Sequence, residues 1–579
     1  MTLSVRFFLI ALSAFQLLAC GGLSGLSTKT PGTAASAPEV VVVPPPATED
    51  ETGLSGDLLF DILLGEVAGQ REQLGVSVEH YLRAAEVSDD ARLAERALRI
   101  ALFAKQEDAA LTAARRWVEL APENLEARQS LGVLALHARV ADEAYEQFEY
   151  LLSVTEDEAQ AFQGLTALLA RSEDKELALA MMARLVQQHP QSAQAHLAYS
   201  RLALLVDKLD LALQEVERAL ELQPDAVEAL ILRAGVRVKA DQPEVAEKEL
   251  RSALAAQPQD IELRLALARL LLDLHDLPGA TAQFEQVAKL QPDHTDALYS
   301  LGLLAMEQRQ LKSAESYFRK LIDTGKREQE ARFYLGRVLE LRGRQDDALD
   351  QYGLVNEGEY WLEAQTRAAS VRAQLGDLEG ARRQLQGLRL REPSLAVRLY
   401  LVEGEILAQA GELQEAMALY DRVLAESPDN HDVLYARALV AEKLNDLPAA
   451  ESDLRRIIEQ DPDNFHAWNA LGYTLADRTD RLQEALGYIE KALALSPEEA
   501  AIVDSLGWVH YRMGDLETAA EYLQRAYELS RGDAEVAAHY GEVLWQQGKQ
   551  QEARALWEKA KRDAPDNEPL QKTMQRFLP

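Results

Sequence analysis

The sequence predicts an all-α solenoid of about 14–15 helix pairs followed by a C-terminal capping helix. Alanine recurs in steps of 34 residues from Ala110 to Ala348 and continues with one-residue slips to Ala553. Small residues recur twelve or thirteen positions before most of these alanines, and a proline often follows the alanine within the same period. A period of this kind along most of 579 residues indicates one elongated array rather than several globular domains.

The N-terminal segment has the pattern of a bacterial export signal. A single basic residue, Arg6, precedes an apolar run from Phe7 to Leu18, which is too short to span a membrane but suits the core of a signal peptide. The run ends in Leu-Leu-Ala-Cys-Gly at positions 17–21, which resembles the lipobox of bacterial lipoproteins. That resemblance implies cleavage of residues 1–19 and acylation of Cys20. The alternative is an ordinary secretory signal in which Cys20 is incidental.

The segment after the cysteine predicts a flexible tether. Residues 20–56 are rich in Gly, Ser, Thr, Pro and Ala and have no periodic apolar face. The lipoprotein resemblance also implies an address, because Gly21 and Gly22 are not the acidic retention signal. We therefore expect anchoring at the periplasmic face of the outer membrane, with the lipid on Cys20 as the only attached group.

Each period contains two helices that must approach closely. Helix spacing begins near Asp57, and small residues at the eighth position and alanine at the twentieth allow the two axes to come within about 8–10 Å. The small residues at the eighth position are Gly132, Ala234, Ala268, Gly302, Gly336, Ala438, Gly472, Gly507 and Gly541. Proline is expected to end the second helix, because it cannot donate the backbone hydrogen bond. These prolines are Pro122, Pro190, Pro224, Pro258, Pro292, Pro428, Pro462, Pro497 and Pro565.

This pattern resembles the tetratricopeptide repeat, and the resemblance covers roughly residues 73–563. It implies a right-handed superhelical solenoid. We predict degenerate helical repeats over 57–104, the tetratricopeptide array over 105–563 and a capping helix within 564–579.

Composition and motifs favour binding over catalysis. The formal net charge is −34, which disfavours nucleic-acid partners. The single cysteine excludes a disulfide framework within one chain. The sequence lacks a phosphate-binding loop, a zinc-protease motif and a nucleophile elbow. We therefore predict a protein that is not an enzyme, with no catalytic, cofactor-binding or metal-binding residue and no small-molecule substrate.

The family arrangement directs the second, fifth, ninth and twelfth positions of each first helix inward. Aromatic residues among polar groups there are candidates for partner binding, because protein–protein hot spots have this composition. The alternative is that these aromatic rings pack against one another. The candidates are Tyr299, Phe333, Arg337, Tyr435, His466, Asn469, Tyr473, Trp508, Tyr511 and Trp545.

The order of lipobox, tether and long array resembles outer-membrane lipoproteins that partner carboxyl-terminal processing proteases. The resemblance implies a non-enzymatic adaptor that binds and activates the serine protease and presents its substrates, the hydrolases of peptidoglycan cross-links. The alternative is a pilotin-like lipoprotein that assists assembly of an outer-membrane secretin or pilus machine.

Overall fold

The computed structural model describes residues 55–565 and 567–578, and its regular elements there are 31 α-helices and one 3₁₀ turn. Fifteen successive pairs and a final single helix account for these helices, so the predicted all-α repeat fold and its capping helix are confirmed. The predicted signal peptide, Cys20 and all but the last two residues of the predicted tether lie outside the described residues.

The chain divides into two compact units, one up to Leu304 and one from Ala305. In the first unit, consecutive helices pack as antiparallel neighbours around a core rich in alanine and leucine. Its helices are α1 Gly56–Gln70, α2 Leu74–Val87, α3 Ala91–Phe103, α4 Glu107–Leu120, α5 Leu125–His137, α6 Ala141–Val154, α7 Glu158–Leu169, α8 Lys175–Gln188, α9 Ala193–Leu205, α10 Leu209–Leu222, α11 Val227–Lys239, α12 Pro243–Ala256, α13 Ile261–Asp273, α14 Leu277–Leu290 and α15 Thr295–Glu307, the last of which crosses the division.

The second unit continues the same pattern and carries the candidate site near its C-terminal end. Its helices are α16 Leu311–Asp323, α17 Glu328–Leu341, α18 Gln345–Gly353, α19 Trp361–Gln374, α20 Leu378–Arg391, α21 Ala396–Gln409, α22 Leu413–Glu426, α23 His431–Lys443, α24 Leu447–Gln460, α25 Phe465–Arg478, α26 Leu482–Leu495, α27 Ala500–Arg512, α28 Leu516–Leu529, α29 Ala534–Gln546, α30 Gln550–Asp563 and α31 Glu568–Phe577, with a 3₁₀ turn at Pro393–Leu395.

The recurring alanines lie where the two helices of a pair touch. All fourteen are on second helices, and none is more than 1% exposed. The glycines at the eighth position of the first helix meet the second helix directly. A Cβ atom on Gly132 would lie 2.7 Å from the Phe148 ring, and one on Gly472 would lie 2.5 Å from Ile489 Cγ1. Larger side chains at either place would force the helices of the pair apart.

Helix ends follow the residue types that flank them. Wherever a predicted closing proline is present, the second helix ends two residues before it, as α26 does at Leu495 before Pro497. Many first helices begin after an Asn or Asp cap; Asn464, for example, accepts a hydrogen bond from the backbone N–H of Ala467 at 3.0 Å. Between residues 55 and 578, no described helix is both long and apolar enough to cross a membrane.

One irregular stretch interrupts this pattern in the second unit. Helix α18 has 9 residues, whereas the second helix of the next pair, α20, has 14. The chain then turns through Gly358, whose φ of +82° favours glycine, and places Tyr360 in the core at 8% exposure. The Tyr360 ring stacks on Phe333 with 4.7 Å between centroids. The irregular stretch therefore supplies a ring that covers the preceding first helix.

Candidate partner-binding site

Four half-buried aromatic residues lie on three successive first helices near the C-terminal end. Tyr473 is on α25, Trp508 and Tyr511 are on α27, and Trp545 is on α29. The structure therefore brings these four predicted candidates to neighbouring first helices, and we call them the aromatic face.

A histidine on α29, His539, connects two rings of the face to a buried carboxylate. The His539 imidazole stacks on Trp508 with 4.4 Å between centroids, and the Tyr473 ring is 6.3 Å away. His539 Nδ1 lies 2.9 Å from Asp504 Oδ2. Trp508 Nε1–H donates to Asp477 Oδ1 at 3.2 Å. Because these contacts cross from one repeat to the next, they fix the rings in one arrangement.

The far end of the face is closed by the C-terminal helix. The Tyr511 hydroxyl donates to Glu542 Oε1 at 2.9 Å, and the Arg576 guanidinium donates to the same oxygen at 3.1 Å. Phe577 packs against Trp545 with 5.8 Å between centroids. The end of the chain thus lies against the last first helix of the array.

Carboxylates give the face a negative potential. Burial raises the pKa of Tyr473 far above its ordinary value, and Asp477 and Asp504 add to the rise. Burial also raises the pKa of Tyr511 to about 12, with Glu542 contributing. These phenols stay neutral and offer aromatic rings and hydroxyl groups rather than charge.

The two remaining ionisable groups of the face respond to the same field. Burial disfavours the charged form of His539, but the carboxylates of Asp504, Glu535 and Glu542 together outweigh that effect and raise the His539 pKa. Desolvation raises the pKa of the Glu535 carboxyl group, although part of this residue is exposed to solvent at the edge of the face. Carboxylates of the face therefore influence the ionisation of both groups.

Two predicted candidates lie in the core instead. Tyr299 is 0% exposed and Phe333 is 1% exposed, so neither ring offers surface to a partner. For Phe333 the reason is the irregular stretch, because Tyr360 stacks on it and Tyr334 packs edge-on at 5.1 Å. The expectation that these two positions point toward a partner is corrected by this burial.

The other candidates lie nearer to the surface but apart from the aromatic face or at its margin. Arg337 is half-buried and faces Glu363 at 4.0 Å, and Tyr435 is half-buried on α23. His466 is exposed beside the Phe465 ring. Asn469 lies one turn before Tyr473 on α25, and its buried Oδ1 has no hydrogen-bond partner among the described residues.

Sequence reasoning from the inward positions missed His539 and Asp477. His539 is at the sixth position of its helix, outside the set that the family directs inward. The repeat period could have revealed both contacts, because His539 follows Asp504 by 35 residues and Trp508 follows Asp477 by 31. In a stacked array, residues about one period apart lie on neighbouring repeats.

The chemistry of the face suits contact with another protein. In the part of the chain that the structure describes, no cluster of three or more His, Cys, Asp or Glu side chains could hold a metal ion. The aromatic face combines rings with carboxylates, arginines and a half-buried histidine. Aromatic anchors among polar groups are typical of protein–protein interfaces.

Family comparison agrees with the helix pairs. One family model described as tetratricopeptide repeat matches residues 168–227, 206–261, 265–327, 304–355 and 366–431, and a second model of the same description matches 407–472 and 510–576. Together these segments cover more than half of the chain. The chain belongs to the tetratricopeptide-repeat family. No enzyme family is indicated, and the members of this family are typically non-catalytic scaffolds that bind other proteins.

The tetratricopeptide chain is similar to several known proteins over part of its length. It is 42% identical over 212 residues to TPR repeat-containing protein PA4667 of Pseudomonas aeruginosa, a match covering 37% of this chain and 36% of the relative. It is 33% identical over 87 residues to bacteriophage adsorption protein A of Escherichia coli, covering 15% of this chain and 9% of the relative. The match thus spans about a third of the first relative and about a tenth of the second.

Among solved structures, a thermophilic TPR protein of Thermus thermophilus is 23% identical, with a TM-score of 0.29. That match covers 31% of this chain and 99% of the other.

Proposed function

We propose that this tetratricopeptide scaffold is a membrane-anchored periplasmic adaptor that binds and activates a carboxyl-terminal processing serine protease and presents cell-wall cross-link hydrolases to it. The observation that carries the binding role is the aromatic face, where four half-buried rings lie among carboxylates on successive first helices. Rings held by cross-repeat contacts lose little conformational freedom when a partner binds, and this favours affinity. The choice of partner rests on the sequence resemblance.

The anchor and the tether explain how such an adaptor would act. A lipid on Cys20 would hold the array at the outer membrane, since each buried methylene contributes roughly 0.8 kcal/mol and stable anchoring takes more than one chain. Separate stretches of the array would hold protease and substrate. Linking two weak sites in this way can multiply net binding by roughly 10²–10⁴.

Replacement of the lipidated cysteine is expected to release the protein from the membrane. In Cys20→Ser, no acyl group can attach, so the protein should move from the membrane fraction to the soluble periplasmic fraction and lose incorporation of a labelled fatty acid. Ser27→Ala, in the same predicted tether, is the matched control and should remain in the membrane fraction. Retention of Cys20→Ser in the membrane fraction, with unchanged labelling, would contradict the proposed anchor.

Loss of the aromatic face is expected to weaken protease binding and activation. The double variant Tyr473→Ala/Trp508→Ala should reduce affinity for the protease about 30-fold, as expected when hot-spot residues contributing about 2 kcal/mol are removed. The protein is titrated into protease and substrate, and the cleavage rate and half-saturating concentration are measured. Phe103→Ala is the control, because it removes a ring that is 78% exposed on α3 in the first unit.

The titration into protease and substrate distinguishes activation of the protease from recruitment alone. An increased cleavage rate that depends on the aromatic face supports the proposal, and an unchanged rate across the titration contradicts activation. Affinity capture from detergent-solubilised membranes tests the partner itself. A secretin in place of a protease among the main captured proteins would favour the pilotin-like alternative.

A further inference from the structure

We propose that the four valines at residues 40–43, the valine run, cover an exposed apolar stripe on the first helix of the chain, α1. The stripe consists of Leu59, Phe60, Leu63 and Val67, which are 48%, 61%, 57% and 41% exposed. The valine run lies outside the described residues, in the predicted tether that leads into α1. The contact is made within one chain and does not depend on the protease proposed above.

Helix α1 is apolar on two sides. Leu58, Gly65 and Ala68 are buried on the side that packs against α2. Successive residues of a helix are about 100° apart, so the four residues of the stripe occupy one sector about 100° wide on the other side. Gly56 and Gln70 fall in the same sector, which therefore contains no charged side chain. A sector of this width and composition is typical of a helix face that is covered.

The C-terminal end of the array has the polar surface that α1 lacks. The capping helix α31 exposes Glu568, Lys572, Gln575 and Arg576. Terminal repeats of a solenoid need a polar outer face, because no further repeat stacks on them. Helix α1 has an apolar exposed sector instead, so its stripe is the surface that we expect another segment to cover.

The area of the stripe favours a segment of the same chain over a second copy of the protein. Phe60 meets the His80 ring edge-on with 6.2 Å between centroids, yet most of its surface stays exposed. The four side chains together expose roughly 400 Å² of apolar surface, the size of a single functional patch. A stable interface buries about 800 Å² on each partner, so two such stripes would supply about half of that. A tethered segment needs less area, because its effective concentration is high.

A lipid surface suits the stripe poorly. Helices that lie on membranes carry lysine or arginine beside their apolar face. Helix α1 contains no basic residue, and its charged side chains are Asp57, Asp61 and Glu66. An anionic lipid surface would repel these carboxylates.

The valine run has the composition and spacing of a cover for the stripe. It is the only stretch of four consecutive apolar residues between Cys20 and Leu54. Leu59, Leu63 and Val67 follow one another every four residues, which places them about 6 Å apart along the helix. Alternate side chains of an extended chain are about 6.6 Å apart. Two valines two residues apart can therefore pack between these three side chains.

The connecting residues are long enough for the run to return along α1. Residues 44–54 join Val43 to Ser55 and can span up to about 40 Å, whereas the 15 residues of α1 extend about 22 Å. Valine favours extended backbone, and Pro44 disfavours helical backbone at the residue before it. The run therefore has both the reach and the backbone preference that the contact needs.

Charge selects one direction for the valine run. With Val43 beside Leu59, a run that extends toward the C-terminal end of α1 brings Glu39 to that end. Arg71 is exposed there and carries the opposite charge. The reverse direction would bring Glu39 beside Asp57, and like charges repel. The run accordingly lies antiparallel to α1.

This contact would shorten the part of the predicted tether that is free to move. With the run on α1, residues 20–39 remain between the proposed anchor and the array. A coil of about 20 residues spans about 25 Å, compared with about 35 Å for the whole predicted tether. The covered stripe would also be withdrawn from unspecific contact with other proteins.

Cysteine labelling measures whether the valine run covers the stripe. The full chain carries Cys20→Ser, which removes its single native thiol, together with Leu63→Cys, and its rate of reaction with a maleimide is measured. Serine in place of the four valines should raise this rate at least tenfold, because serine gains little from burial. The serine variant is Val40→Ser/Val41→Ser/Val42→Ser/Val43→Ser.

A matched leucine controls for general changes in reactivity. Leu205 is 44% exposed on α9, and Leu205→Cys should react at the same rate, within twofold, whether the run is valine or serine. Glu39→Lys tests the direction of the run and should raise the labelling rate of Leu63→Cys two- to threefold. Circular dichroism checks that each variant keeps its helix content.

Three results would overturn the proposal. The first is an equal labelling rate of Leu63→Cys with the valine run and with the serine run. The second is protection that persists in the serine variant and disappears on dilution, which would assign the stripe to a second copy. The third is protection that appears only when phosphatidylglycerol-containing vesicles are added, which would assign the stripe to a lipid surface.

Discussion

Replacement of Trp557 by alanine is expected to lower the free energy of unfolding of the C-terminal repeats by about 3–5 kcal/mol, the range measured for large aromatic residues removed from cores. Trp557 is 0% exposed and stacks against both Trp545 and Phe577, with 5.8 Å to each ring centroid. Its Nε1–H donates to Ala537 O at 3.1 Å. The substitution therefore removes a large buried ring together with its hydrogen bond to the Ala537 carbonyl.

The measurement is urea-induced unfolding followed by circular dichroism and by hydrogen exchange of α29 and α30. A repeat array need not unfold in one step, so the expected signature is an earlier transition of the terminal helices with the first unit unchanged. Trp557→Phe keeps a ring in the same place and should lose much less stability. An alanine variant whose α29 and α30 amides remain as protected as those of the parent would contradict the packing role.

Substitution of Gly472 by valine is expected to separate the two helices of its pair and to destabilise that repeat by about 1–3 kcal/mol. The first added carbon, Cβ, would lie 2.5 Å from Ile489 Cγ1 and 3.0 Å from the Ala485 carbonyl oxygen. Because the carbonyl belongs to the backbone of α26, the clash cannot be relieved by a change of rotamer alone.

The chain supplies a control for Gly472→Val in the same helix pair. Gly487 is on α26, and a Cβ atom built there would have no neighbour within 4 Å. Gly487→Val should therefore change stability by no more than about 0.5 kcal/mol, the usual range for surface positions. Comparable losses for the two variants in a urea titration monitored by far-UV circular dichroism would show that helix propensity, not helix contact, governs both positions.

The repeat pattern was predictable because it depends on contacts that every pair makes. Alanines such as Ala485 recur at the helix contact because only a small side chain fits there, and each is buried as the period implies. Closing prolines such as Pro497 act through their own backbone, so they mark helix ends without knowledge of the neighbours. The alanine positions follow from contacts within one helix pair, and the helix ends follow from the backbone of the proline itself.

The site was predictable only in part, because its contacts depend on particular neighbours. Tyr473 and Trp508 lie on the aromatic face as their positions suggested, but Phe333 does not, since Tyr360 arrives from a stretch that breaks the period. His539 occupies a position that the family does not direct inward. A position within the repeat therefore indicates an orientation, while irregular neighbours decide what covers it.

The cross-repeat contacts of the aromatic face also favour the correct stacking of each repeat on its neighbour. The alanine contacts lie within each pair and are nearly alike from pair to pair, so they do not select which repeat stacks on which. Such arrays risk misassembly and exchange of repeats between chains. The pairing of Asp504 with His539 and of Tyr511 with Glu542 each requires one particular neighbour. These polar contacts therefore make the wrong sequence of repeats costly, because a misplaced carboxylate would be buried without its partner.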